Sequence, residues 1–263
     1  MRYQVDHDLH IHSMLSRCSG CPEQNNERIL QYGLEEGFNT LCLTNHFWDE
    51  RVPGASPWYE KQGFDHICQA QPLPQAEGIR FLFGCETELN KHLTLGISRE
   101  RIEKMDFIII PTTHFHMKLV MDPEDRASVQ KRTAHWLQRL EAVLAMDLPF
   151  HKVGLAHLTC HLIGTSREDH LQVIQSLPRD RLTTLFEKAA RLGVGIELNA
   201  EDIKYAQGFE DALLEPYRIA KRCGCKFYCG SDAHEPAELE AARVCFEQAV
   251  TLLELTEDDK FRL

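Results

Sequence analysis

The chain has 263 residues, of which 43% are hydrophobic, and its formal net charge at pH 7 is -11. Extended nucleic acid is not expected as a partner, because phosphate-backbone binding relies on clustered Lys and Arg; a single nucleotide or a short oligonucleotide stays open. The length predicts one domain over residues 1–263, since α/β barrels of this size form a single core.

The sequence contains no segment that we identify as membrane-spanning or secretory. No stretch approaches the ~18 uninterrupted apolar residues of a membrane helix, and the first residues lack the apolar core of a signal peptide. The ten cysteines are therefore expected to be mostly reduced thiols. We predict a cytoplasmic protein without a membrane partner, and the sequence leaves its oligomeric state open.

Seven β-rich runs alternate with helical patterns along the chain. The runs are 4–12, 40–44, 80–85, 106–111, 152–156, 194–198 and 226–229. Helical patterns occupy 27–37, 124–146, 182–193 and 235–255, and Ser166 with Asp169 fits a capping box that opens another helix. This alternation predicts an α/β fold with a parallel sheet, open or closed, covered by crossover helices.

Residues 51–75 form the least regular part of the chain. They include Pro53, Gly54, Pro57, Pro72 and Pro74, which interrupt regular structure. We expect a mobile excursion over a site, because binding residues often lie on such loops.

The stretch "DLHIHS" at residues 8–13 places His10 and His12 two positions apart. In an extended strand the side chains at i and i+2 point the same way, and their Cα atoms lie roughly 6.5 Å apart. Two such imidazoles can hold one metal ion, although an isolated pair more often only hydrogen-bonds its surroundings.

The other runs also end in polar side chains, and in a parallel barrel these ends meet at one edge. In chain order the candidates are His10 with His12, His46, Glu86, His114 with His116, His157, Glu197 with Asn199, and Asp232 with His234. A structural explanation would have to hold at every strand separately, whereas one metal cluster accounts for all of them. We therefore interpret these residues as a metal centre.

The chain resembles the PHP (polymerase and histidinol phosphatase) metallo-phosphoesterases. The matching segments, in family order from residue 8 to residue 234, are "DLHIHS", "LTNH", "GCETEL", "PTTHF", "GLAHL", "IELNA" and "GSDAH". The resemblance implies a distorted seven-stranded (β/α) barrel and a site for two or three divalent ions: zinc, manganese or iron.

The resemblance also implies three sets of ligands. The first would comprise His10, His12, Glu86 and Asp232. The second would comprise Glu86, as a bridge, with His114 and His157. The third would comprise His46, His234 and a loop residue that is histidine in histidinol phosphatase-like members and Cys18 here.

Cys18 leaves two alternatives open. Its thiolate would ligate a third ion and favour zinc, or the third ion is weak or absent. A separate structural zinc would need Cys18, Cys21, Cys223 and Cys225, but the second pair has CxC spacing, so this signal is weak.

A carboxylate-bridged pair of ions suits phosphate ester hydrolysis, because it lowers the pKa of a shared water and neutralises phosphoryl oxygens. We expect a metal-bridging hydroxide to attack a small phosphorylated metabolite, with Glu86, Asp232 and His234 at the catalytic centre. The substrate is predicted to be a phosphomonoester, with histidinol phosphate as one candidate. The alternatives are a phosphodiesterase or exonuclease and a non-catalytic metal-binding regulatory protein; hydrolysis of C–N bonds fits the motifs less well.

Further residues are predicted to assist the site. Candidates for binding the substrate phosphate, each with a solvated surface role as the alternative, are Arg17, His116, Lys118 and Lys204. Asp8 either orients a ligand by a hydrogen bond or faces solvent at the rim. Glu197 and Asn199 are expected to support the site without ligating a metal.

Overall fold

The nine strands of the protein form two sheets in which all neighbours are parallel. The structure is a computed structural model that describes residues 1–263. The strands are β1 His7–Ile11, β2 Thr40–Leu43, β3 His46–Phe47, β4 Arg80–Phe83, β5 Cys85–Thr87, β6 Ile108–Pro111, β7 Val153–Ala156, β8 Gly195–Asn199 and β9 Lys226–Gly230. One sheet has the order β1-β2-β4 and the other β3-β5-β6-β7-β8-β9. The predicted α/β class with parallel pairing is confirmed.

The predicted count of seven strands is wrong, and a closed barrel is not confirmed. Two of the runs continue into a second short strand, so that β2 is followed by β3 and β4 by β5. At Gly84 the hydrogen-bond partner changes: Gly84 N donates to Leu43 O (2.8 Å), and Cys85 N donates to Phe107 O (3.2 Å). A Cβ at residue 84 would lie 2.4 Å from Phe107 O, so the change of partner requires glycine.

The carboxyl end of the first strand meets the residues that follow the last strand. His12 N donates to Ala233 O (3.0 Å), and Asp232 N donates to His10 O (2.7 Å). These bonds place the end of β1 and the residue after it beside the residues that follow β9.

Eleven α-helices connect and cover the strands. They are α1 Asn26–Glu36, α2 Phe64–Ile67, α3 Arg99–Ile102, α4 Pro123–Arg126, α5 Val129–Leu144, α6 Arg167–Gln175, α7 Arg179–Leu192, α8 Ala200–Tyr205, α9 Glu210–Leu213, α10 Glu215–Arg222 and α11 Pro236–Leu252. Short 3₁₀ helices occupy Cys68–Ala70, Phe150–Lys152, His161–Ile163 and Glu257–Asp259. The predicted long helix at 124–146 is divided, because Ser128 caps a new helix by accepting a hydrogen bond from Lys131 N.

Ser166 caps α6 as predicted, by accepting a hydrogen bond from Asp169 N. Asp169 does not complete the capping box: its carboxylate accepts from Thr165 N (2.7 Å) and pairs with Arg132. The N-terminus of α6 is thereby tied to α5.

A hydrophobic cluster of 64 buried residues extends from Tyr3 to Leu255, so both ends of the chain contribute to the same core. All ten cysteines are free thiols. No helix combines the length and the apolar character that crossing a lipid bilayer requires.

Candidate metal centre

Eight of the predicted ligands converge where the strands end. Each lies on, or shortly after, the carboxyl end of a strand: His10, His12, His46, Glu86, His114, His157, Asp232 and His234. Their candidate ligand atoms fall into three groups, and within each group all atoms lie within 4.8 Å of one another.

The first group contains His10, His12, Glu86 and Asp232. Asp232 Oδ1 lies 3.2 Å from His10 Nε2 and 3.1 Å from His12 Nε2. Glu86 Oε2 lies 3.6 Å and 3.3 Å from the same two nitrogens. Two imidazoles and two carboxylates are a donor set that suits a divalent transition-metal ion.

The second group contains Glu86, His114 and His157. Here the other carboxylate oxygen is involved, because Glu86 Oε1 lies 3.4 Å from His157 Nε2. The two oxygens of Glu86 therefore face two different groups of imidazoles, which is the arrangement that a bridging carboxylate needs.

The third group contains His12, His46 and His234. It shares His12 with the first group, and one ring nitrogen cannot ligate two ions. Cys18 belongs to none of the three groups, although it lines the same cavity as His46 and His234. Desolvation, followed by the charges of Glu86 and Asp232, raises the pKa of its thiol to about 12.

Hydrogen bonds at Nδ1 orient five of the six imidazoles. The acceptors are Glu197 Oε1 for His10 (2.6 Å), Ser16 Oγ for His12 (2.8 Å), Glu88 Oε2 for His114 (2.8 Å), Thr113 Oγ1 for His157 (2.8 Å) and Asp232 O for His234 (2.7 Å). Donation from Nδ1 leaves the lone pair of a neutral ring on Nε2, the atom that faces the cluster. Such outer partners fix the tautomer of metal-binding histidines.

Glu88 and Arg139 are functional candidates that the sequence reasoning missed. Both side chains are fully buried, and Arg139 Nη2 donates to Glu88 Oε1 (2.8 Å) while the other oxygen of Glu88 holds His114. The i, i+2 spacing of Glu86 and Glu88 was a signal for Glu88. Arg139 had none, because it lies in α5 among other charged residues.

The residues predicted to support the site make different contacts with it. Glu197 holds His10 Nδ1 and also accepts from His157 N (2.7 Å), and Asn199 Nδ2 donates to Glu197 (3.3 Å). Asp8 is completely buried, so the alternative of a solvent-facing Asp8 is wrong. Its carboxylate accepts hydrogen bonds from the backbone N–H groups of His10 (3.2 Å) and Ser231 (3.0 Å) and none from an imidazole ring.

The carboxylates and imidazoles of the cluster shift one another's pKa values. Burial alone would raise the pKa of Glu86, but the imidazoles of His46 and His10 hold it well below its usual range. Burial opposes a charge on His10, yet Asp232, Glu197 and Glu86 raise the pKa of that imidazole well above its usual range. Burial, followed by the charge of His12, lowers the pKa of His234 to about 3, which keeps its ring neutral.

The residues fit a bound metal, because potential ligand atoms lack other partners. Glu86 Oε2, His46 Nδ1 and His234 Nε2 are buried and make no hydrogen bond, although the first two atoms form an ion-pair contact of 2.8 Å with each other. Buried polar atoms without partners are rare, since each costs about 1–3 kcal/mol. A cation bound to the three groups would satisfy these atoms.

Two candidate ligands also have unusual backbone conformations. The φ angle is +29° at His157 and +56° at Asp232. Positive φ is uncommon for residues other than glycine, and such strain often occurs at functional sites.

The predicted phosphate-binding residues do not form one group. His116 and Lys118 line a cavity of about 550 Å³ together with His46, His114 and Asp232. Arg17 is directed elsewhere, because its guanidinium donates to the carbonyls of Pro57 (3.5 Å) and Trp58 (3.3 Å).

Lys204 lines a neighbouring cavity of about 400 Å³ and pairs with Glu201 (3.5 Å). Burial, followed by the charge of His114, lowers the pKa of His116 to about 4, so this ring is a neutral hydrogen-bonding group.

The alternative of a separate structural zinc gains no support. None of its four cysteines belongs to a potential metal-binding group. Cys223 Sγ donates to Thr183 O (3.7 Å), Cys225 Sγ to Phe186 O (3.2 Å), and Cys21 Sγ to Glu23 (3.0 Å).

This combination of parallel sheets and a carboxyl-edge cluster of histidines and carboxylates defines the protein as an α/β protein with a candidate metal centre. Neither a protein-family model nor a curated protein sequence matches the chain. Among solved structures, the chain is similar to a histidinol phosphate phosphatase from Lactococcus lactis subsp. lactis Il1403, complexed with zinc, L-histidinol and phosphate. The TM-score is 0.55 at 19% identity, over 93% of this chain and 94% of that chain, which shows a common fold.

Two other solved structures align at lower scores. PsfC from Pseudomonas syringae PB-5123 has a TM-score of 0.40 at 17% identity, over 88% of this chain and 77% of that chain. The ochratoxinase of A. niger has a TM-score of 0.43 at 9% identity, over 96% of this chain and 67% of that chain.

Proposed function

We propose that this protein is a metal-dependent phosphoesterase of the PHP family that hydrolyses a small phosphomonoester. In this proposal the two sheets form one distorted barrel, and residues 1–263 form one domain. The sequence motifs from residue 8 to residue 234 and the fold shared with a histidinol phosphate phosphatase support the assignment.

The position of the Glu86 carboxylate is the main observation behind the proposal. One oxygen faces the group of His10, His12 and Asp232, and the other faces His157. Because surrounding imidazoles hold its pKa low, Glu86 is an anion that can bind two cations at once.

We assign two divalent ions to the centre, one to each group that contains Glu86. Only His46 and His234 are available as ligands in the third group, because His12 is required as a ligand in the first group. A third ion would need the Cys18 thiolate as an additional ligand, and a bound metal would have to lower the high pKa of that thiol.

When bound, two such ions neutralise phosphoryl oxygens and lower the pKa of a water molecule toward neutrality. The chain supplies the rest. Asp232 is the carboxylate ligand that lines the cavity, with 24% of its side chain exposed. The neutral ring of His116 lies 5.6 Å, between centroids, from that of His114, where it can hydrogen-bond a phosphoryl oxygen.

Release of inorganic phosphate from a panel of monoesters, including histidinol phosphate, nucleotides and sugar phosphates, tests this function. The protein would be loaded with zinc, manganese or iron. We expect at least one ester to be hydrolysed and Asp232→Ala to lower the rate about 1,000-fold, since a ligand and its charge are lost.

The matched control is Asp211→Ala, because Asp211 is an exposed aspartate in a surface ion pair at 3.7 Å. It should retain the wild-type rate. Metal-loaded protein that releases phosphate from no monoester would refute the proposal and favour a diesterase or a non-catalytic role.

A further inference from the structure

The cleft beside the metal centre has two lobes. The first, which we call the apolar lobe, has a volume of about 550 Å³ and is bounded away from the metal ligands by Trp58, Met117, Leu119 and Leu162. The second, which we call the polar lobe for its charged side chains, has a volume of about 400 Å³. Its lining includes His161, Glu201, Lys204 and Glu238 together with the small residues Ala200, Ala241, Ala242 and Cys245. Asp232 and His234 line both lobes, so the metal centre lies at their junction.

Only the apolar lobe reaches all three ligand groups. It is lined by His46 and His234 of the third group, His114 of the second and Asp232 of the first. The polar lobe reaches no candidate ligand besides Asp232 and His234. A phosphoryl group that spans the centre is therefore approached from the apolar lobe.

The charges of the two lobes differ as well. In the polar lobe Lys204 pairs with Glu201 (3.5 Å), and Glu238 accepts a hydrogen bond from His234 N (2.6 Å). The lining of the apolar lobe contains no carboxylate besides Asp232, and its one lysine is Lys118. An ammonium group would find no free counter-ion there and would lose its hydration, which is costly.

Trp58 gives the apolar lobe an aromatic wall. Its ring makes edge-to-face contacts with His46 (5.0 Å between centroids) and Tyr59 (4.7 Å). Trp58 is half-buried, whereas Trp48 and Trp136 are 1% and 0% exposed. Aromatic rings and apolar chains pack favourably against such a wall.

We infer that the substrate is a phosphomonoester whose alcohol part is apolar and has no ammonium group, and that this part occupies the apolar lobe. The inference rests on the proposed phosphoesterase function and narrows its substrate class. It places phosphorylated amino alcohols outside that class, including histidinol phosphate, the candidate substrate considered above.

Two esters of primary alcohols, phenethyl phosphate and phosphoethanolamine, test the inference. We expect kcat/KM of the metal-loaded protein to be about 10-fold or more higher for phenethyl phosphate, because burial of an apolar group discriminates by this order. Equal values, or a preference for phosphoethanolamine, would overturn the inference while leaving phosphatase activity established.

A change of charge within the apolar lobe provides a second test. Leu162→Glu adds a carboxylate to a half-buried position, and Leu162→Gln adds a neutral group of the same shape. Relative to Leu162→Gln, we expect Leu162→Glu to shift the kcat/KM ratio of the two esters about 10-fold toward phosphoethanolamine, since the ammonium gains a counter-ion. The inference would be overturned if Leu162→Glu and Leu162→Gln gave the same kcat/KM ratio while Glu201→Gln selectively lowered phosphoethanolamine turnover. That result would place the alcohol part in the polar lobe.

Binding separates this inference from the proposed chemistry. Phenylpropylphosphonate and aminopropylphosphonate resemble the two esters but cannot be hydrolysed, and Trp58 fluorescence reports occupancy of the apolar lobe. We expect the phenyl compound to bind the metal-loaded protein about 10-fold more tightly and to alter the emission, and Trp58→Phe to abolish the signal. Tight binding of phenylpropylphosphonate without hydrolysis of any ester would support the apolar lobe and refute the phosphatase activity. Equal binding of both phosphonates would refute the inference.

Discussion

Both ends of the parallel strands contain histidine and carboxylate side chains, but only at the amino end are the carboxylates paired with a lysine. At the amino end, Lys260 is 4% exposed and pairs with Asp6 (3.1 Å) and Glu257 (2.8 Å). His7 Nδ1 donates to Asp6 (2.8 Å), and His7 Nε2 accepts from Cys229 N (3.0 Å). This end contains its own cation, so its charged groups have partners within the chain.

At the carboxyl end six imidazoles lie around Glu86 and Asp232, and the side chains that form ion pairs with these two carboxylates are all histidines. Three buried atoms there make no hydrogen bond: His234 Nε2, and Glu86 Oε2 with His46 Nδ1, which lie 2.8 Å apart. The comparison indicates that the amino end serves stability, whereas the carboxyl end offers ligands for a cation from solution.

The strongest test of this comparison is Glu86→Gln, which keeps the shape of the proposed bridge but removes its charge. We expect phosphatase activity to fall about 1,000-fold, because the two ions lose their shared anion. Metal content, measured by elemental analysis, should fall in parallel. Glu257→Gln removes a carboxylate from the amino end and should leave both quantities unchanged; a similar loss in both variants would contradict the comparison.

Removal of metal should destabilise the carboxyl end. A metal at 100–1,000 times its dissociation constant would raise the free energy of unfolding by about 2.7–4.1 kcal/mol. Thermal unfolding of chelator-treated protein, with and without added zinc or manganese, measures this effect. A melting temperature that does not respond to either metal would argue against a binding centre.

Glu88→Gln tests the outer partner of His114. The variant keeps a side chain that can accept from His114 Nδ1 but loses the charge, and loss of such partners typically costs about 10–100-fold in metal affinity or activity. It also leaves the buried Arg139 without its carboxylate partner. The double variant Glu88→Gln, Arg139→Met removes both charges, so recovery of stability without recovery of metal affinity would separate the two roles.

Lys260→Met tests the amino end. Because Asp6 and Glu257 are partly exposed, loss of their buried partner should lower the free energy of unfolding by about 1–3 kcal/mol. Denaturant unfolding gives this value, and kcat of the folded protein should be unchanged. A large fall in kcat would show that the two ends are not independent.

Acid should narrow the difference in unfolding free energy between wild type and Lys260→Met, and this is the smallest effect. Burial would raise the pKa of Glu257, but hydrogen bonds from Lys260, Gln4 N and Arg262 lower it to about 2. A lowered carboxyl pKa stabilises the folded state above the ordinary value and loses that contribution as pH falls toward the folded-state value. The difference between the two proteins should therefore become smaller from neutral pH to pH ~2.5. A constant difference would contradict the contribution of the Lys260–Glu257 ion pair.

The site residues at the strand ends could be predicted for two reasons. Side chains two positions apart lie on the same face of a strand, and the carboxyl ends of parallel strands meet at one edge of the sheet. His10 with His12, and Asp232 with His234, are examples. Other features depend on contacts that no local pattern encodes. Arg139 meets Glu88 across 51 residues, and Gly84 exchanges one strand partner for another. Arg17 looked like a phosphate ligand, but the carbonyls of Pro57 and Trp58 bind it.

Anomalous scattering from crystals grown with zinc or manganese would show directly whether Glu86 bridges two metal ions. We expect two metal peaks, one on each side of the Glu86 carboxylate, the first near His10, His12 and Asp232 and the second near His114 and His157. Crystals without a peak in this cluster, or with a single ion that Glu86 does not contact, would contradict it.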